Sequence, residues 1–170
     1  TSFTVPETVK KIGAKAFYNA ETLERISLPN GLAEIGARAF YHCSKLKTIT
    51  IPDTVTSMGE GVLASCTQLE SVQLSKGLTM LPATAFNNCT ALQGIVLPAN
   101  IKTLDSNNIF DFCNSLTSIS ILSPEFTVSS AQYLPDGVQI TVVNETVKTA
   151  LINAGVSAEK ITVERALTPV

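Results

Sequence analysis

Residues Ala39 to Val55 read "AFYHCSKLKTITIPDTV". Three other stretches read almost the same way: "AFYNAETLERISLPNGL" from Ala16, "VLASCTQLESVQLSKGL" from Val62 and "AFNNCTALQGIVLPANI" from Ala85. Fixed periods of this length are the signature of a stacked-repeat architecture. Pro6, Pro29, Pro52 and Pro98 are separated by 23, 23 and 46 residues, with Ser75 at the missing step. Leu23, Leu46, Leu69, Leu92 and Leu116 step by 23, 23, 23 and 24. Cys43, Cys66, Cys89 and Cys113 step by 23, 23 and 24. The added residue falls between Leu104 and Phe110, in "LDSNNIF", where the previous repeat has "LPATAF"; an insertion there marks a loop.

Each unit has a readable anatomy. "LERISL", "LKTITI", "LESVQL", "LQGIVL" and "LTSISI" share the form L-x-x-φ-x-φ, with φ aliphatic. The last three positions alternate with period two, as in a half-buried strand. A turn such as "LPNG" follows, with proline assigned to its second position and glycine to its fourth. Then comes an aliphatic pair, as in Val9 and Ile12 or Leu32 and Ile35. A short G-x-x-A-F segment completes the unit and is read as about one turn of helix. Its leading Gly13, Gly36 and Gly59 give way to Pro82 and Asp105. Proline cannot take positive φ, so that glycine is read as convenient rather than required. The first full unit points Val9, Ile12, Ala16, Phe17, Ala20, Leu23, Ile26 and Leu28 inward. One unit cannot bury enough to offset its own ordering entropy; units must stack and share a core.

These 170 residues are 45% apolar and 15% charged, which excludes a disordered chain. Net charge is −2, so nothing favours nucleic acid or an anionic membrane. No apolar run approaches the roughly 20 residues of a membrane span. The chain lacks an initiator Met and opens in mid-pattern: "FTV" at Phe3–Val5 matches the second half of a strand such as "ISL" at Ile26–Leu28. It is therefore expected to be a piece of a longer protein.

The motif L-x-x-φ-x-φ-P, followed by φ-x-x-I-G-x-x-A-F-x-x-C-x-x-L, resembles the leucine-rich repeats of the BspA type over residues 3–122. The resemblance implies an α/β repeat solenoid: a right-handed superhelix with a concave parallel β-sheet and short helical turns on the convex side. It also implies a secreted or cell-surface protein, non-enzymatic, that recognises or adheres to an extracellular protein or glycan. The expected organisation is a partial repeat at 1–5, five repeats to residue 122, and an irregular final repeat with a C-terminal cap at 123–170. In that last part "VQITVV" (138–143) and "KITVE" (160–164) read as strands, because Ile140 follows Ile119 by 21 and Ile161 follows Ile140 by 21. "NETVKTALINAG" between them reads as a helix capped by Asn144 and stopped at Gly155. Alternative roles are a structural spacer presenting another domain, or a targeting module of a larger enzyme.

Few residues point to chemistry. The four cysteines lie a repeat apart, not at the short spacings of zinc sites, and are read as buried free thiols. His42, beside Cys43, is read as solvent-facing. No nucleophile elbow, phosphate loop or calcium loop occurs, so no catalytic residue, metal site or cofactor is assigned. Asn88-Cys-Thr and Asn144-Glu-Thr match a glycosylation sequon, relevant only in a eukaryotic source. The outward strand positions remain. They read Glu24, Lys47, Glu70, Gln93, Thr117; then Arg25, Thr48, Ser71, Gly94, Ser118; then Ser27, Thr50, Gln73, Val96, Ser120. Glu24, Arg25, Lys47, Thr48, Thr50, Glu70, Ser71 and Gln73 form the candidate binding face, because charges cluster at that end. Tyr18 and Tyr41, one repeat apart, are expected to stack as an exposed convex patch.

Overall fold

The computed structural model describes residues 1–104, 106 and 108–164. Asp105 and Asn107 lie outside the described residues, and with them part of the "LDSNNIF" insertion. Residues 165–170 of the closing unit do so too. In chain order the elements are β1 (Ser2–Thr4), β2 (Lys11–Ile12), β3 (Arg25–Ser27), β4 (Glu34–Ile35), β5 (Thr48–Thr50), β6 (Ser57–Met58), β7 (Ser71–Gln73), β8 (Gly94–Leu97), β9 (Ser118–Ile121), β10 (Gln139–Val142), α1 (Glu145–Asn153) and β11 (Ile161–Val163). Short 3-10 turns at Ala131–Tyr133 and Ala158–Lys160 complete the last part.

The alternating triplets build a main parallel sheet in three hydrogen-bonded blocks: β1–β3, β5–β7 and β8–β9–β10–β11. Lys47 N–H donates to the Glu24 carbonyl at 3.4 Å and Gln93 N–H to Glu70 at 3.3 Å, which bridges the blocks. The register repeats the sequence period: Phe3 faces Ile26, Ile49 faces Val72 and Ile95 faces Ile119. It continues through the 21-residue steps, with Ile119 opposite Ile140 and Ile140 opposite Ile161. Each repeat is thus one rung of a solenoid. Inward positions stack into columns: Leu46, Leu69 and Leu92 are fully buried, while Phe17–Phe40 and Phe86–Phe110 stack at centroid distances of 5.2 and 5.8 Å. Ala39 and Ala85 are fully buried, but Ala16, expected inward, is exposed. Phe3, at the same end, is likewise 47% exposed.

The proline turn sits one residue later than the sequence suggested. Leu32 N–H donates to the Pro29 carbonyl, as do Val9 to Pro6, Val55 to Pro52 and Ile101 to Pro98. Proline therefore opens the turn, and Gly31 is its third residue. Ser75 replaces proline at full burial: its hydroxyl donates to the Val55 carbonyl at 2.6 Å and accepts from Gly77 N–H.

The G-x-x-A-F segments are not helical. Two residues in each of the first four turns take left-handed φ, and Phe112 does so in the fifth: Lys15, Arg38, Gly61 and Thr84 form one column, and Asn19, His42, Ser65, Asn88 and Phe112 the next. Such residues break a helix. The N–H groups divide instead between neighbours and self. Lys15, Phe17 and Asn19 donate across to Ala37, Ala39 and Tyr41, while Ala16, Tyr18 and Ala20 close local turns on Gly13, Lys15 and Phe17. A helix would spend all of these bonds within one rung and leave the stack unlinked.

A second ladder, β2–β4–β6, runs along another side. Gly36 and Gly59 follow its strands and donate to the Ile12 and Ile35 carbonyls at 2.8 Å. Neither has positive φ, yet both are required, which corrects the reading of convenience. A Cβ on Gly36 would lie 2.5 Å from the backbone nitrogen of Ala14, and one on Gly59 2.2 Å from that of Ala37. Pro82 holds the equivalent place in the fourth repeat and has no N–H to give. Among the described residues the ladder's strands end at β6, Met80 stands 55% exposed, and a parallel bridge joins Thr103 to Thr127 further along.

The described residues close on β10–α1–β11. Asn144 caps α1, its side-chain oxygen accepting from Val147 N–H at 2.8 Å. Gly155 has φ 101°, where L side chains are strained. Val147 and Leu151 are buried on the side facing β10 and β11.

Gly59→Ala is expected to lower stability by about 2 kcal/mol or more, because backbone must move to admit the methyl. Gly13→Ala, whose Cβ meets nothing within 4 Å, is expected to stay within about 0.5 kcal/mol of the parent. Urea unfolding of the two variants measures this, and equal losses would contradict the close-approach account.

Candidate functional site

The outward face of the main sheet holds the residues singled out from sequence. Arg25 lies in β3, Thr48 and Thr50 in β5, and Ser71 and Gln73 in β7. Thr48 faces Ser71 and Thr50 faces Gln73 across one rung step. Glu24, Lys47 and Glu70 each stand just before their strands. Lys47 N–H donates to Glu24 and Glu70 N–H to Lys47, so the three form one column. All eight are exposed. Among the described residues no ion pair joins Arg25, Lys47 or Glu70 to any partner in the chain; Glu24 faces the Thr1 amino group at 3.3 Å. By contrast, Lys11–Glu34, Lys76–Asp53 and Lys102–Glu125 pair rung to rung elsewhere on the surface.

The face extends further than the sequence reading took it. Ser118 faces Gln139, and Ser120 faces Thr141, which faces Thr162. The 21-residue spacing of Ile119, Ile140 and Ile161 carried that signal, because outward residues flank each inward isoleucine.

On the turn side, Tyr18 and Tyr41 stack with ring centroids 4.9 Å apart and planes 9° apart. Tyr18 is 41% exposed, and the Lys15 ammonium sits 5.7 Å from its ring centre. His42 does not simply face solvent. It packs beside Tyr41, and its Nδ1 lies 3.7 Å from a Glu21 carboxylate oxygen. Its neighbour Cys43 is not positioned by it.

All four cysteines are free and buried. Each thiol donates to a carbonyl one rung earlier: Cys43 to Phe17, Cys66 to Phe40, Cys89 to Leu63 and Cys113 to Phe86, at 3.1–3.2 Å. The thiols satisfy carbonyls inside the stack. Burial pushes Cys89 well up and Cys113 up to about 11. The neighbouring Cys43 side chain, and then burial, push Cys66 up. A raised thiol is a poor nucleophile at neutral pH. Among the described residues no group of three or more His, Cys, Asp and Glu is disposed to hold a metal ion. No helix is long and apolar enough to cross a membrane. The two sequon asparagines are occupied: Asn88 donates to the Ser65 hydroxyl and Asn144 caps α1.

The profile of the BspA-type leucine-rich repeat region matches residues 1–117 with six copies. The chain belongs to the BspA-type leucine-rich repeat family. Solved structures agree with that membership. A leucine-rich repeat protein from Eubacterium ventriosum superposes with TM-score 0.71 at 28% identity, over 82% of this chain and 41% of that one. The T. pallidum leucine-rich repeat protein shares the fold, with TM-score 0.69 at 22% identity over 92% of this chain and 84% of that one. The pneumococcal vaccine antigen PcpA matches with TM-score 0.54 at 28% identity, over 96% of this chain and 35% of that one. This BspA-type chain thus spans about two fifths of the E. ventriosum protein. A comparison with curated proteins finds no match.

Alkylation of the native chain by iodoacetamide at pH 8 is expected to be far slower than in urea; equal rates would mean the thiols are not held as described. Cys113 also links stability to pH. Its folded pKa, about 11, lies above the ordinary 9.0, so its contribution is complete below pH 9 and is lost as pH rises to about 11. Cys113→Ala should flatten that part of the stability–pH curve.

Proposed function

We propose that this chain is a non-enzymatic recognition module, secreted or displayed at the cell surface, that binds an extracellular partner through the outward face of its main sheet. The observation that carries the reading is Arg25 and Lys47. They stand exposed on adjacent rungs, and among the described residues neither is in an ion pair, with Glu24 and Glu70 flanking Lys47 in its column and Thr48, Thr50, Ser71 and Gln73 beside them. Cations left unpaired cost little in water and gain when a partner supplies the anion. Family membership and the likeness to a pneumococcal vaccine antigen support the location. The stacked Tyr18–Tyr41 pair supports a second contact on the turn side, since exposed tyrosine is a favoured anchor at interfaces. A spacer role, presenting another domain and binding nothing, is the rival reading.

An array of extracellular-matrix proteins and glycans, probed with the folded chain, tests the proposal. A specific partner is expected. The double change Arg25→Glu, Lys47→Glu should weaken it about tenfold or more, and rising salt should weaken the parent. Binding unaffected by that change would remove the sheet face from the account, and silence across the array would favour the spacer. Tyr41→Ala should weaken binding by a further factor only if the turn side takes part.

A further inference from the structure

The outward face of the main sheet changes character along its length. Arg25, and Glu24, Lys47 and Glu70 just before their strands, precede β8, while Lys160 stands just before β11. From β8 to β11 the outward side chains are Val96, Ser118, Ser120, Gln139, Thr141 and Thr162, in the longest unbroken block of the sheet. None is charged and none is aromatic. From β9 to β11 hydroxyls stand in register, Ser120 beside Thr141 beside Thr162, while β8 presents Val96 in that row. Ser120 and Thr141 are half-buried, while Ser118, Gln139 and Thr162 are exposed around them. The surface is therefore a shallow trough floored by hydroxyls. Gly94 keeps its edge low: a Cβ there would lie 2.6 Å from the Ser118 hydroxyl oxygen.

From this trough we infer a binding track for an extended, neutral polysaccharide, running along the solenoid axis across β8–β11. The inference rests on the recognition reading above and names the ligand class for the uncharged part of the same face. Three features select it. Hydroxyls and amides both donate and accept, matching sugar hydroxyls that also do both. Adjacent strands lie about 4.8 Å apart, close to the advance per sugar of an extended β-linked pyranose chain, so each sugar meets an equivalent rung. A protein partner finds little here, because the face offers no ring or arginine to anchor it. A polyanion finds no cation among these six side chains. Without an aromatic platform the contact is hydrogen-bonded and weak, and it gains by repetition along the chain.

Titration of the whole chain with cellohexaose and chitohexaose, followed by amide NMR shifts, tests the track. Saturable shifts confined to β8–β11 are expected, unchanged by salt. The double change Ser120→Ala, Thr141→Val should weaken binding about tenfold. Gln139→Ala, at an exposed position that cannot disturb the core, should weaken it less but measurably. Both variants must keep the parent's unfolding midpoint; if the double variant loses it, Gln139→Ala alone decides. Absence of shifts overturns the inference, as do shifts at Arg25 and Lys47 or a preference for polygalacturonate that falls with salt. An array partner lost on changing Arg25 and Lys47, with no response to either hexamer, would leave the recognition reading standing and this one refuted.

Discussion

Every rung of this solenoid depends on carbonyls that belong to the next. Strand N–H groups reach across the main sheet, turn N–H groups alternate between neighbour and self, and cysteine thiols donate back one rung. A buried backbone polar group left unpaired costs as much as a lost hydrogen bond. The bonds therefore fix the geometry of a unit by the geometry of its neighbour. This is why the chain repeats itself at 23 residues with so little drift, and why the few departures are informative. Where Pro98 has Ser75 as its counterpart, a hydroxyl takes over the bonding. Where Gly59 has Pro82, no group can, and the ladder ends.

Much of this architecture was legible in the sequence because it rests on spacing. The columns of Leu23 to Leu116, the strand tracts and the 21-residue isoleucine steps needed only counting, and the helix capped by Asn144 needed only its end signals. The turn side was not legible. Lys15, Arg38, Thr84 and Phe112 are poor residues for left-handed backbone, and the inter-rung bonds impose that conformation against their preference. Asn19, His42, Gly61 and Asn88 alone gave a readable sign. The second ladder escaped as well, since two-residue strands such as Glu34–Ile35 are too short for periodicity to register. Gly36 and Gly59 were misread because the constraint is a close approach of two backbones, which one strand's dihedral angles do not reveal.

The outward face was legible as a list of positions and not as a surface. Sequence order separates Ser120 from Thr141 and Thr162, and only the irregular end of the array brings them into one row. The charges at the opposite end stood out because they are few. That Arg25, Lys47 and Glu70 are in no ion pair among the described residues is a fact of three-dimensional placement, since lysines elsewhere on the same chain do find acids one rung away.

The interruption at Met80 and Pro82 coincides with the junction between β7 and β8, where the main sheet also passes from one block to the next. Two of the stack's ladders are thus thin at the same level. In a one-dimensional array, cooperativity passes only through nearest-neighbour interfaces. A stretching force applied along the axis would load those interfaces in series, and the chain would part first at this seam. The charged stretch of the outward face and its hydroxyl row lie on opposite sides of that level.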